Sequence, residues 1–320
     1  MPSSKLLTQV RQEIRRRNYS FKTEQAYISW ILRYIRFHNT THPNEMGAAE
    51  VEDFLNDLAN NENVAASTQN QALSALVFLY KQVLDVPTLK LDGLQRARKP
   101  QKVPVVLSQD EVRQIFYHCS GLPHLILSLM FGTGMRISEV LRLRIKDIDF
   151  EHFYILVRSG KGLKDRRVML PNSCIPDLKE QIKRATKQHY RDLKKGQGEK
   201  LLPKALHRKH PCEAKHLGWM YIFFSDRISM DPRSGLKHRH HISDRYIQKA
   251  LKQAVSNTNI VKKVSSHTLR HSFATQMLQF GYDIRTVQEL LGHTNVKTTM
   301  IYTHVLNEKG NFLKSPVDAI

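Results

Sequence analysis

The chain has 320 residues, 41% of them hydrophobic, which suffices for one large domain or two ordinary ones and argues against global disorder. Lys and Arg number 50 against 29 Asp and Glu, a formal net charge of +21 that favours a polyanionic partner, nucleic acid first and a membrane surface second. No run approaches the ~20 apolar residues of a membrane span. Residues 1–12 hold no apolar stretch of the secretory kind. The three distant cysteines, Cys119, Cys174 and Cys212, form no C-x-x-C pair and no complete disulfide set, so a cytoplasmic location is expected.

Taken in chain order, residues 1–90 read as an all-helical domain of four helices, the first over 4–17. Tyr27, Trp30, Ile31, Tyr34 and Ile35 recur at helical spacing, as do Val51, Phe54, Leu55 and Leu58. A third pattern runs through Ala72, Leu73, Leu76, Val77, Leu79, Tyr80, Val83 and Leu84, and Thr40 to Asn44 and Asn60 to Asn63 punctuate the series. From Pro87 the character changes. Pro87, Gly93, Pro100 and Pro104 bracket Arg96, Arg98, Lys99 and Lys102, which predicts a basic, extended linker over 91–104 suited to a phosphate backbone.

A second domain, 105–320, opens at Ser108-Gln-Asp-Glu111, a capping box. A helix over 122–131 should stop at Gly132-Thr-Gly134, and Arg136 should open the next, through Arg144. Strand-like periods at 148–150, 153–158 and 167–170 predict a small antiparallel sheet, with Ser159-Gly-Lys-Gly162 in the turn before its last strand. Helices are expected at 175–193, 243–257, 267–280, 283–291 and 295–306. Residues 194–241 are Pro- and Gly-rich and predict loops around one short helix near 203–209. The fold class is therefore α+β, mainly helical. Charge is concentrated in the second domain: residues 151–250 carry 23 Lys and Arg against 10 Asp and Glu, whereas residues 1–90 carry 10 against 9.

Six polar residues invite a phosphate reading. Each taken singly has an ordinary role on a protein surface or in a core. Arg136 follows a glycine break at a helix start, where a guanidinium beside free backbone N–H groups suits an anion. Lys161 sits on a glycine-flexed hairpin tip that can reach a DNA groove and deliver a proton; the flanking sequence is not a P-loop. His267 and Arg270 are three apart, on one helix face, pairing a phosphate clamp with a hydrogen-bonding imidazole. His293 follows the C-capping Gly292, and Tyr302 lies nine residues on.

In this order, within GTGMRISE, SGKGLKDRR, SHTLRHSFAT and LLGHTNVKTTMIYTH, the six resemble the tyrosine recombinases, the phage-type integrases. The resemblance is strong over 105–306 and looser over the helical, DNA-clasping 1–90. It implies that Tyr302 attacks a phosphodiester to leave a 3′-phosphotyrosine and a free 5′-hydroxyl. Arg136, Arg270 and His293 would hold the phosphate, Lys161 would protonate the leaving oxygen, and His267 would assist proton transfer as base toward Tyr302. No metal, ATP or other cofactor is implied. The two domains would clamp DNA, two sites would be held in a homotetramer through a Holliday junction, and residues 305–320 would dock on a neighbour.

The segment 194–241 resembles the extra segment of integron integrases, which contacts bases extruded from folded single-stranded sites. Trp219 and Pro232 offer stacking surfaces there, and Arg239, His240 and His241 offer polar or stacking edges. Phe223-Phe224-Ser225 stands where that subfamily has an aromatic-Pro-Ser step. Two rivals remain: a type IB topoisomerase, which would relax plasmid without site preference, and an inactive DNA-binding relative, which would form no covalent adduct. The histidines at 238–241 have no Cys or carboxylate partner at metal-ligand spacing.

Overall fold

Leu6, Leu7, Val10 and Ile14 fall on one face of α1 (Lys5–Arg16), the first element of the computed structural model, and are buried there. The structure describes residues 5–86, 97, 104–158 and 165–302. The chain divides into two compact units, Met1–Lys102 and Val103–Ile320.

In the first unit, α1 is tied to α2 (Phe21–Phe37) by a fork from Arg15 to the buried Glu24, at 3.2 and 2.9 Å. Ser20 caps α2 by accepting from the Thr23 N–H. Glu50 performs the equivalent service at the start of α3 (Ala48–Asn60), taking the Gly47 N–H at 2.6 Å. The last helix, α4 (Ala66–Phe78), widens into a π-helical turn at Leu79–Val83. The extra residue in that turn brings Leu79 and Tyr80 inward together, where they enter two different apolar clusters. The Tyr80 and Tyr34 hydroxyls then bond to each other at 2.8 Å inside the core.

The second unit begins as its capping box requires: Ser108 accepts from Glu111 N–H, Glu111 accepts from Ser108 N–H, and α5 (Gln109–Tyr117) follows. The apolar α6 (Gly121–Thr133) runs through the centre of the largest cluster. It ends at Gly134, whose φ of +67° is left-handed and where a Cβ would collide with the Phe273 ring. The next helix, α7 (Ile137–Leu141), is shorter than its sequence suggests. Arg144 instead bridges to Tyr221, pulling the later insertion onto this edge.

Strands β1 (Ile148–Asp149), β2 (Tyr154–Val157) and β3 (Arg166–Met169) form an antiparallel sheet in the order β1-β2-β3. Ile155 pairs with Val168, both buried. Lys161 belongs to the connection between β2 and β3 and lies outside the described residues, as do most of the expected linker 91–104 and the tail beyond Tyr302. The long α8 (Ile175–Lys194) and the short α9 (Lys204–Lys209) come next.

The structure corrects the expectation of mere loops around one helix in 194–241. β4 (Phe224–Met230) and β5 (Lys237–His241) form an antiparallel hairpin. Its turn is built by Asp231, whose Oδ1 accepts from the N–H groups of Arg233 and Ser234 and from the Ser234 hydroxyl, with Gly235 at φ +71°. β4 is open on much of both faces, so it carries no clean apolar alternation to announce a strand. The chain closes with α10 (Asp244–Ser256), α11 (Ser266–Gln279), α12 (Ile284–Leu291) and α13 (Lys297–Met300). Among the described residues no helix is long and apolar enough to cross a membrane.

Candidate active site

Glu139 organises the cationic residues. It stands three residues into the turn that Arg136 caps, and accepts from the Arg136 backbone N–H at 2.8 Å and from its guanidinium at 2.9 Å. The Arg136 N–H, expected to be free for an anion, is thus used internally. Arg166 reaches the same carboxylate from β3 with both terminal nitrogens, at 3.1 and 2.7 Å, and gives its Nε–H to the Leu290 carbonyl. The Arg270 guanidinium stands 3.9 Å away. Burial works against the Glu139 charge, but the Arg166 fork and Arg136 outweigh it and hold the carboxyl below its ordinary range. One carboxylate facing three guanidinium groups leaves a positive excess suited to a phosphate.

Arg270 is the hub. It is 3% exposed, so its direction is set by what it touches. It donates to the Gly134 carbonyl at 2.6 Å, where α6 ends, and to the Leu291 carbonyl at 2.6 Å, where α12 ends. The nitrogen that reaches Leu291, Nη2, also lies 3.1 Å from Nε2 of His293. Because the guanidinium only donates, that Nε2 accepts, and the His293 proton sits on Nδ1, 2.9 Å from the Thr299 hydroxyl. Burial and the neighbouring Arg136 push the Arg270 pKa down to about 10, a penalty that an incoming anion relieves.

His267 stands on the first turn of α11 with one edge open, and the desolvation of its inner side, with Arg270 and Arg136 nearby, keeps its pKa below the usual value. Tyr302 follows α13 on a turn and is 1% exposed, packed in an apolar cluster with Phe273, Ala274 and Leu291. Burial raises its pKa, while Arg270 and Arg136 work in the opposite direction. Its hydroxyl is not bonded to His267, the expected base. It lies 2.7 Å from Nδ1 of His271.

Arg136, Arg270, His293 and Tyr302 therefore gather around one positively charged centre, with His267 at its edge. Three contributors escaped the sequence reading. Glu139 and Arg166 sit within the quoted flanks GTGMRISE and SGKGLKDRR, and a carboxylate three residues after a helix-capping Arg was the available signal for the first. His271 follows Arg270 directly and had no signal of its own.

The insertion residues are deployed differently. Trp219 is buried; its Nε1–H donates to Glu213, the Lys146 ammonium stands 2.8 Å from its ring centroid and the Arg144 guanidinium 4.7 Å. Arg239 is also buried, forked onto Asp192 at 2.7 Å twice and bonded to the Ser225 carbonyl, so its guanidinium is spent on holding the hairpin to α8. Burial opposes the Asp192 charge, and the Arg239 and Gln188 bonds outweigh it and keep the carboxyl low. His240 lies tilted and His241 edge-on to Tyr221, their ring centroids 5.5 Å from it, and burial drives the His241 pKa down to about 4. Pro232 is exposed on the hairpin turn. A cavity of about 470 Å³ lies between insertion and active centre, lined by Arg136, Arg142, Arg144, Arg158, Trp219 and Tyr221 among others.

Comparison with known proteins agrees with this arrangement. The model of the phage integrase family matches residues 105–309, and that of the phage integrase N-terminal SAM-like domain matches residues 6–88. An integrase/recombinase of Escherichia coli is 50% identical over 320 residues, covering 99% of this chain and 94% of its own. The tyrosine recombinase XerC of Lactobacillus leichmannii is 33% identical, with 90% of each chain covered. Among solved structures, XerH bound to a palindromic difH substrate in a post-cleavage complex shares the fold at TM-score 0.61 and 22% identity, covering 93% of this chain and 82% of that one. A lambda integrase dimer bound to a COC′ core site does so at TM-score 0.61 and 17% identity, with 93% of each chain covered. With its two family domains in order and its arginines, histidines and tyrosine gathered at one centre, the chain belongs to the phage integrase family and is a tyrosine-type site-specific DNA recombinase.

Proposed function

We propose that this recombinase cuts and rejoins DNA through a 3′-phosphotyrosine bond to Tyr302, and that it is of the integron type, acting on folded single-stranded sites as well as duplex ones. The observation that carries the chemistry is Arg270: one buried guanidinium bound to the ends of α6 and α12 and to His293, with Arg136 beside it and Tyr302 within its field. Arg136 and Arg270 bind the non-bridging phosphate oxygens and gain strength as charge builds in the five-coordinate transition state, and His293 hydrogen-bonds the same phosphate once its proton is carried on Nε2. His267 hydrogen-bonds the same phosphate from the rim and assists proton transfer. Lys161 protonates the departing 5′-oxygen. The phosphotyrosine conserves the energy of the broken bond, so rejoining uses neither ATP nor a metal.

The integron reading rests on the sequence of 194–241, on Trp219 and Tyr221, which line a cavity reaching Arg136, and on His240 and His241 beside Tyr221. Pro232 on the exposed turn is a second place for a base to stack. Two sites are held in a homotetramer, strands pass through a Holliday junction, and residues 305–320 dock on a neighbouring subunit. The enzyme works in the cytoplasm on nucleoid DNA.

The test is incubation of the protein with a folded single-stranded site and with its duplex form, scoring covalent adducts on each. Adducts on both, and none with Tyr302→Phe although it still binds DNA, are expected. Adducts from Tyr302→Phe would reject the nucleophile. Pro232→Ala and His240→Ala should weaken the single-stranded reaction more than the duplex one; equal loss on both rejects the integron reading.

A further inference from the structure

The bond between Tyr302 and His271 is left without a task by the scheme above. His271 lies one residue beyond Arg270 on α11, about 100° around the helix from it. Its Nδ1 is 2.7 Å from the Tyr302 oxygen, and the two rings meet at 5.5 Å and 50°. A neutral tyrosine donates this hydrogen bond, so Nδ1 accepts it and the imidazole proton is on Nε2. The groups facing the ring are His267 and Arg270 from its own helix and Tyr302 from the segment after α13, with Arg136 acting on the same hydroxyl. Burial, with His267 and Arg270 close by, pushes the His271 pKa down to about 4, which leaves the Nδ1 lone pair open at neutral pH. A phosphodiester bound against Arg270 and Arg136 offsets the positive field that disfavours an imidazolium there.

We propose that His271 is a catalytic residue of strand cleavage, taking the Tyr302 hydroxyl proton on Nδ1, a task the sequence alone suggested for His267. The assignment rests on Tyr302 being the nucleophile. As the Tyr302 oxygen bonds to phosphorus, its proton passes to Nδ1 of His271. The P–O5′ bond breaks, and its electron pair leaves with the 5′-oxygen, which takes a proton from the general acid. In rejoining, the 5′-hydroxyl attacks phosphorus and returns its proton to that acid, and His271 gives its proton back to the departing Tyr302 oxygen. No outside acid, base or oxidant enters.

The experiment uses the full chain and duplexes selected by it from a random-sequence pool, nicked beside the mapped cleavage position so that the 5′-hydroxyl fragment is lost. Single-turnover adduct formation is measured for wild type, His271→Ala, His271→Asn, His267→Ala and Tyr302→Phe. Asn keeps a hydrogen-bond acceptor near the Nδ1 position but is not basic. Both His271 variants should cleave about 10²–10⁴-fold more slowly with DNA binding unchanged, and added imidazole should restore part of the His271→Ala rate. Should His271→Ala not fold, His271→Asn decides. Wild-type rates in His271→Asn would reduce the residue to a positioning role and overturn the proposal, as would imidazole rescue confined to His267→Ala. If wild type forms adducts and Tyr302→Phe does not, a fast His271→Asn removes only the proton assignment; adducts on Tyr302→Phe remove the nucleophile itself.

Discussion

Arg270 and Glu139 act as a pair of opposed devices at the centre of the site. The carboxylate gathers guanidinium groups that would repel each other, and Arg270 spends its nitrogens on two helix-end carbonyls and one imidazole. A lysine is a single point charge and cannot make those bonds together. Arg270→Lys should therefore lower adduct formation about 10²–10³-fold, the order seen on losing one transition-state donor, with DNA binding reduced far less; comparable losses in both would show a role in binding alone. Acid should destabilise the protein through two buried rings. His241 and His271 each have a folded pKa near 4 against an ordinary 6.5. Between those values the unfolded chain binds more protons, so stability is complete above about pH 6.5 and is lost as pH falls toward 4. Denaturant midpoints measured from pH 7.5 down to 4.5 should fall across that window. They should fall less in His241→Gln, provided the variant packs as the parent does.

At the scale of elements, the insertion hairpin is held by a contact across 47 residues, Asp192 of α8 to Arg239 of β5. Asp192 also lies near Lys200, itself buried and lowered by that burial to about 8. Asp192→Ala would leave both cations uncompensated, and breaking a buried pair this way costs about 3–5 kcal/mol. Chemical denaturation should register that loss, and a change within experimental scatter would mean that the pair is idle. The helices were legible because their apolar positions repeat at helical spacing and their ends carry caps, as at Ser108–Glu111 and Gly292. The hairpin was not, because β4 is exposed on both faces and its turn depends on an Asp side chain folding back on its own backbone. Among the described residues of the helix expected over 295–306, α13 covers Lys297–Met300, and Thr299 turns inward to His293 while Tyr302 leaves on the following turn.

For the molecule as a whole, net charge governs encounter with DNA. The +21 excess is carried almost entirely beyond residue 90. Affinity should fall linearly on a log–log plot against salt, with a slope of about −0.9 for each duplex phosphate neutralised. Titrations between 50 and 200 mM salt, about the range where such losses are large, test this; a flat response would mean that phosphate contacts contribute little.

The sequence by itself determined the class of partner and the mainly helical plan, and its motif order proposed Arg136, Arg270, His293 and Tyr302 as members of one set. Charge balance, apolar period and motif order are local properties of the chain, and local properties survive in one dimension. The tertiary structure alone decided which groups meet. Glu139 became the organiser, Arg239 became an internal strut, and the Tyr302 hydroxyl went to His271 in place of His267. These outcomes depend on contacts across 27, 47 and 31 residues, set by how helices and sheet pack, and neither spacing nor composition records that packing.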